Sequence, residues 1–135
     1  MEMCEVLTNL VEFHVKTRNE RYSDCERFYV NEERVTEREF IDVEATLANV
    51  VAKTVKAVAE ELLNMEVDVD FDPDVGDYLD VKDLEGNTLF SVRVATCNDF
   101  SGSNYYEAST TWRPLKDIIK DTIEAIKGYI ASKQL

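Results

Sequence analysis

The sequence predicts an α+β domain with one antiparallel sheet of about five or six strands, a long central helix and a C-terminal helix. Apolar residues recur at three- and four-residue spacing over about 36–63 and about 114–132, the pattern of amphipathic helices. Apolar and acidic residues alternate over 67–72, the pattern of a strand with one face in water. A chain of 135 residues fits a single domain over 1–135.

The N-terminal segment, residues 3–17, fits two structures. One helical face would collect four apolar side chains, those of Met3, Val6, Leu7 and Leu10. Three later apolar residues alternate with polar ones as in a strand, namely Val11, Phe13 and Val15. We favour a strand over about 10–17, and we interpret the polar residues 18–24 as a loop.

The clearest helix start follows a short hairpin. Residues 27–30 are strand-like, and residues 31–33 turn the chain. Thr36 and Glu39 have the spacing of a capping box, and Val35 and Phe40 have that of a hydrophobic staple. The resulting helix extends to about residue 63, a length of about 40 Å. That is long for this domain, so we expect the helix either to break or to project and support a homodimer.

The second half of the chain alternates between strand and turn signals. Residues 73–76 end the strand at 67–72, and strands at 78–82 and 88–95 flank a loop in which Gly86 supplies the positive φ of a hairpin. Residues 97–104 are polar and predict a loop, and 105–112 predict another strand. Pro114 suits the first turn of the C-terminal helix.

The composition limits the classes of function. Acidic residues number 28 against 15 basic ones, a net charge of −13, which disfavours direct binding to nucleic acid or to an anionic membrane. The three cysteines, Cys4, Cys25 and Cys97, are widely spaced and typical of reduced thiols. The first residues lack the basic and apolar regions of a signal peptide. We therefore expect a cytoplasmic protein whose partners are basic.

Nine acidic residues against one lysine make residues 66–85 the most acidic segment. Its candidate partner-binding residues are Asp68, Asp70, Asp72, Asp74, Asp77 and Asp80. On a strand, alternate carboxylates lie about 6.6–6.8 Å apart and resemble a phosphate track. Two other interpretations stay open: a solvated edge strand protected by charge, and a weak divalent-metal site. The spacing does not fit an EF-hand. With Asp70 as the first position of the calcium loop, Gly76 falls at position 7 instead of 6, and Val81 stands at position 12 in place of the bidentate glutamate.

Catalytic and cofactor signatures are absent from the sequence. His14 is the only histidine, no serine lies in a nucleophile motif, and no glycine loop would hold phosphate. We predict that the chain is not an enzyme and that it carries no cofactor and no metal. The alternative is a site for a nucleotide or another small phosphorylated ligand, in which arginines grip phosphate and aromatic rings stack. Its candidate residues are Arg93, Tyr105, Tyr106, Trp112 and Arg113.

Residues 27–40, RFYVNEERVTEREF, resemble the hairpin and capped helix found in small phage-encoded accessory or anti-defence proteins, including anti-CRISPR-like inhibitors. The resemblance covers about a tenth of the chain and transfers no functional residue. It implies an inhibitor that mimics nucleic acid. We therefore expect an acidic, non-enzymatic protein that occupies the basic nucleic-acid-binding surface of a partner, such as a nucleic-acid-binding enzyme.

Overall fold

A computed structural model describes residues 2–71 and 77–134. Its helices are α1 (Met3–Glu12), α2 (Glu37–Leu63) and α3 (Leu115–Lys133). Its strands are β1 (Val15–Tyr22), β2 (Glu26–Val30), β3 (Glu33–Val35), β4 (Asp68–Asp70), β5 (Tyr78–Lys82), β6 (Thr88–Arg93), β7 (Ala95–Gly102) and β8 (Tyr105–Trp112). The α+β class is confirmed. The strands of the described residues form two antiparallel sheets, ordered β3-β2-β1-β8-β7 and β4-β5-β6, where the sequence predicted one.

The predicted capping box begins α2. The Thr36 hydroxyl accepts a hydrogen bond from the Glu39 N–H at 3.1 Å, and the Glu39 carboxylate accepts one from the Thr36 N–H at 3.1 Å. The helix then continues unbroken for 27 residues and ends at Asn64, whose φ is 53°. One side of it is buried along its length, through Phe40, Val43, Leu47, Val51, Val55 and Ala59. The predicted helix is therefore confirmed, and it does not break.

The prediction of a strand over 10–17 is wrong for most of that segment. Residues 3–12 form α1, which buries Val6 and Leu10 against the core. Val11 and Phe13, whose alternation suggested a strand, are 47% and 62% exposed. The predicted loop over 18–24 is also wrong for residues 18–22, because β1 continues to Tyr22, and only residues 23 and 24 of it lie between strands. This strand pairs with β8 along its whole length, from Val15 opposite Trp112.

The prediction of a polar loop over 97–104 is also wrong. Residues 95–102 form β7, which pairs with β8 after a two-residue turn at Ser103 and Asn104. Another hairpin of this sheet, between β2 and β3, turns at Asn31 and Glu32, whose φ angles are 51° and 66°. That turn confirms the expectation for residues 31–33.

The three-stranded sheet matches its prediction in part. β4 is shorter than the predicted strand, with three residues, and position 72 lies outside the described residues. The β5–β6 hairpin is confirmed, with Gly86 at φ 91°. The Asp83 carboxylate holds its loop by accepting hydrogen bonds from the N–H groups of Glu85 at 3.0 Å and Asn87 at 2.9 Å.

The core lies between the helices and one face of each sheet. α2 packs against α3, β2, β4 and β5, and α3 also packs against β6 and α1. Strand register places Val15, Val30 and Trp112 on the core-facing side of the larger sheet, while Val81 and Val92 take that side of the smaller one. The opposite side of each sheet, its outer face, carries polar and charged side chains.

Candidate binding surfaces

Two of the predicted aspartates lie exposed on an edge strand. Asp68 and Asp70 occupy β4, and Val69 between them turns towards the core. Register places Asp70 opposite Asp80, and Asp68 opposite Lys82, on the outer face of the three-stranded sheet. We call these four residues the carboxylate face. Its three carboxylates outnumber its one ammonium group, so the face is acidic.

The carboxylates of this face differ in their ion pairs and hydrogen bonds. Lys82 Nζ lies 3.3 Å from an Asp70 oxygen, and the Asp70 side chain remains 67% exposed. Asp80 accepts a hydrogen bond from the Ser91 hydroxyl. Asp68 makes no hydrogen bond or ion pair with the other described residues. Asp68 and Asp70 are therefore the carboxylates of this face most open to a partner.

Asp77 stabilises the fold through hydrogen bonds within the chain. Its carboxylate accepts a hydrogen bond from the Cys97 N–H at 2.9 Å, and its carbonyl accepts from the N–H groups of Val94 at 2.9 Å and Ala95 at 3.3 Å. It therefore joins the start of β5 to the start of β7. The two remaining predicted residues, Asp72 and Asp74, lie outside the described residues.

The five residues of the predicted small-ligand site are not brought together. Trp112 is fully buried, with its ring centroid 5.6 Å from that of Phe71. Tyr105 and Tyr106 are neighbours on β8, so their side chains lie on opposite faces of the sheet. Tyr105 is also seven residues from Trp112, a separation of about 23 Å along a strand.

The two arginines of that predicted site are engaged within the chain. Arg113 Nη1 donates to the carbonyl of Arg93 at 2.9 Å and lies 2.7 Å from an Asp121 oxygen. Arg93 donates to the hydroxyl of Thr96. These contacts do not direct either guanidinium towards Tyr105 or Tyr106.

A charged cluster on the outer face of the five-stranded sheet went unpredicted. Arg18 contacts Glu20, Glu32 at 2.9 Å and Glu107 at 3.8 Å, and its guanidinium lies 4.1 Å from the ring centroid of Tyr29. The side chains of Arg18 and Glu20 are 14% and 12% exposed. The missed signal was their spacing: on a strand, Arg18 and Glu20 share one face.

A row of aromatic side chains crosses the same face beside this cluster. The rings of Tyr22 and Tyr105 lie 5.2 Å apart, and that of Phe100 lies 6.1 Å from Tyr105. Loss of water around the Tyr105 hydroxyl, and then its hydrogen bond to Glu107 at 2.9 Å, raise the pKa of Tyr105 well above its usual range. The phenol therefore stays protonated and acts as a donor.

The three cysteines are free thiols, with Cys4 and Cys25 exposed and Cys97 half-buried. Burial, partly offset by the hydroxyl of Thr110 and reinforced by the charge of Asp77, raises the pKa of Cys97. Since the thiolate is the nucleophile, this thiol is poorly activated at neutral pH.

Within residues 2–71 and 77–134, no three histidine, cysteine or acidic side chains lie together as metal ligands would. None of the helices in those residues has both the length and the apolar character needed to cross a bilayer. Neither a protein-family model, nor a curated protein, nor a solved structure matches this chain.

Proposed function

We propose that this chain is an acidic, non-enzymatic binding protein, of the phage-inhibitor type, that occupies the basic nucleic-acid-binding surface of a partner protein. The observation that supports the proposal is the exposure of Asp68 and Asp70 on one face of the edge strand β4. Their separation of about 6.6–6.8 Å along the strand gives a short row of fixed negative charges. A groove lined by arginine and lysine would accept such a row as it accepts phosphates.

Charge complementarity predicts the bonds, the rate and the salt dependence of the proposed interaction. Guanidinium and ammonium groups of the partner would form charge-assisted hydrogen bonds with the two carboxylates. The net charge of −13 would also accelerate the encounter with a basic partner. Because exposed charges are screened within about 10 Å at 0.1 M salt, affinity should fall as salt rises.

The same carboxylates have a second use that the experiment must separate from binding. Charged side chains on an edge strand prevent it from pairing with other chains. If Asp68 and Asp70 only protect β4, replacing them would cause aggregation without changing the affinity of the soluble protein. Affinity and solubility are therefore measured on the same variants.

The partner is first sought by pull-down from bacterial lysate at low and high salt, with bound proteins identified by mass spectrometry. We expect a basic nucleic-acid-binding protein that elutes with salt. Its affinity is then measured for the double variant Asp68→Asn/Asp70→Asn. The matched control is Asp24→Asn/Asp42→Asn, which removes the same charge at exposed positions in a loop and on α2.

We expect the β4 variant to lose at least tenfold in affinity while the control stays close to the original protein. Equal losses in both variants would mean that only net charge matters, which contradicts a defined site. Unchanged affinity in the β4 variant, or binding that salt does not weaken, would overturn the proposal.

A further inference from the structure

In the part of the chain that the structure describes, no further strand pairs with β7 at its edge of the five-stranded sheet, and the hydrogen-bonding pattern of that edge can be assigned. The N–H groups of Ala95 and Cys97 point to Asp77, away from β8. In an antiparallel pair, the residues that bond the neighbouring strand alternate with those that do not. The outward-facing backbone groups of β7 therefore belong to its odd-numbered residues, and beyond Cys97 these are Asp99 and Ser101.

Asp77 covers the first half of this edge, and no residue within 2–71 or 77–134 hydrogen-bonds to the outward side of the second half. Residues 98–102 are all exposed, and neither Asp99 nor Ser101 has a side-chain or loop hydrogen-bond partner among the described residues. Phe100 lies between them, with its side chain on the outer face and 59% exposed. The open segment thus has two residues with outward-facing backbone groups, Asp99 and Ser101, one on each side of the exposed Phe100.

We propose that this segment pairs with the same segment of a second copy of the chain, antiparallel and about a two-fold axis at Phe100. Asp99 of each copy then lies opposite Ser101 of the other, and each of these two pairs exchanges two backbone hydrogen bonds. The two Phe100 residues form the intervening pair, in which side chains approach most closely. The two five-stranded sheets join into one.

The pattern of β7 favours a second copy because the segment is complementary to itself. In this register the Asp99 carboxylate faces the Ser101 hydroxyl, and the phenyl rings bury each other. A register centred on Asp99 would place two carboxylates opposite each other. It would also require the N–H of Cys97, which Asp77 already occupies.

The charge near this segment does not itself favour association. Asp99 lies in the proposed contact, and Glu107 is paired with Phe100 across β7 and β8. The whole chain carries −13. Repulsion between two acidic chains therefore opposes association, so salt should strengthen this pairing by screening.

The test is sedimentation velocity of the full chain over a wide range of concentration, at low and high salt. We expect a reversible monomer–dimer equilibrium that shifts towards dimer with salt. Phe100→Lys places two ammonium groups opposite each other and should raise the dissociation constant at least tenfold. Leu84→Lys is the matched control, because Leu84 is similarly exposed (62%) and lies in the β5–β6 loop.

A second variant tests the backbone bonds themselves. Ser101→Pro removes the outward N–H of Ser101 in both copies and leaves the bonds between β7 and β8 in place. It should weaken the dimer as Phe100→Lys does, with circular dichroism confirming that both variants remain folded.

A chain that stays monomeric at all concentrations would overturn the proposal. A dimer that Phe100→Lys and Leu84→Lys weaken equally would do the same. This inference is independent of the proposed partner: Asp68→Asn/Asp70→Asn should leave the dimer intact, and the two interactions respond to salt in opposite directions.

Discussion

The carboxylate of Asp77 and the backbone N–H of Cys97 are joined by a hydrogen bond of 2.9 Å that links the two sheets. Asp77 precedes β5 of the smaller sheet, and Cys97 lies in β7 of the larger one. Together with the bonds from Val94 and Ala95 to the Asp77 carbonyl, this contact fixes where the chain passes from one sheet to the other.

We predict that Asp77→Ala lowers the free energy of unfolding by about 1–2 kcal/mol, because a half-buried N–H loses a charged acceptor. Asp68→Ala should change it by less than about 0.5 kcal/mol, since that side chain is exposed and unpaired among the described residues. Urea denaturation of both variants provides the comparison. Equal effects would show that Asp77 is no more structural than Asp68.

The cluster around Arg18 gives a second prediction. Arg18→Met leaves the carboxylate of Glu20, 12% exposed, without its countercharge and should cost about 2–3 kcal/mol. Adding Glu20→Gln removes the unpaired charge and should restore part of the loss. The measurement is a double-mutant cycle of unfolding free energies. Additive losses would contradict a coupled pair.

The third prediction concerns acid and the start of α2. The backbone N–H and then the hydroxyl of Thr36 hold the pKa of Glu39 below its usual value. A carboxyl whose pKa is lowered by folding contributes stability above its unfolded pKa and loses it as pH falls through its folded pKa. The stability difference between the original protein and Glu39→Gln should therefore shrink on acidification, in chemical unfolding at several pH values. A difference independent of pH would contradict this.

Thr36→Ala removes the other half of the capping box. It should cost about 1 kcal/mol at neutral pH, because the N–H of Glu39 loses its acceptor. A neighbouring exposed substitution, Arg38→Ala, is the control and should have little effect.

The start of α2 could be read from the sequence because its signals are local. Thr36, Glu39 and Phe40 lie within five residues, and the buried stripe that continues from Phe40 to Ala59 packs the helix on the core in agreement with that local preference. α1 was misassigned because Val11 and Phe13 are apolar but exposed, so they imitate the alternation of a strand.

The strands at 18–22 and 97–102 were missed for a different reason. Sequence patterns detect a strand by one buried apolar face, and these segments have no fully buried side chain on either face. Arg18 and Glu20 are held on the outer face by contacts with residues of β8 and of the β2–β3 turn, which no local pattern reports.

The candidate site could be predicted only in part from the sequence, for the same reason. In sequence, Asp68 and Asp77 belong to one acidic run. The fold exposes the first and uses the second as an acceptor for Cys97, a residue twenty positions away. Long-range register, which places Asp70 beside Lys82 and Asp80, determines what each carboxylate can do.

The pairing of Val15 with Trp112 determines when the larger sheet can be completed during synthesis. β8 lies between β1 and β7, and its last residue leaves the ribosome 97 residues after Val15 (112 minus 15). At about 5–20 residues per second, β1 waits about 5–20 s for its neighbour. A strand rich in charge tolerates that interval in water far better than an apolar one. The polar sequence of β1, because of which sequence patterns fail to detect this strand, thus also protects the nascent chain from aggregation.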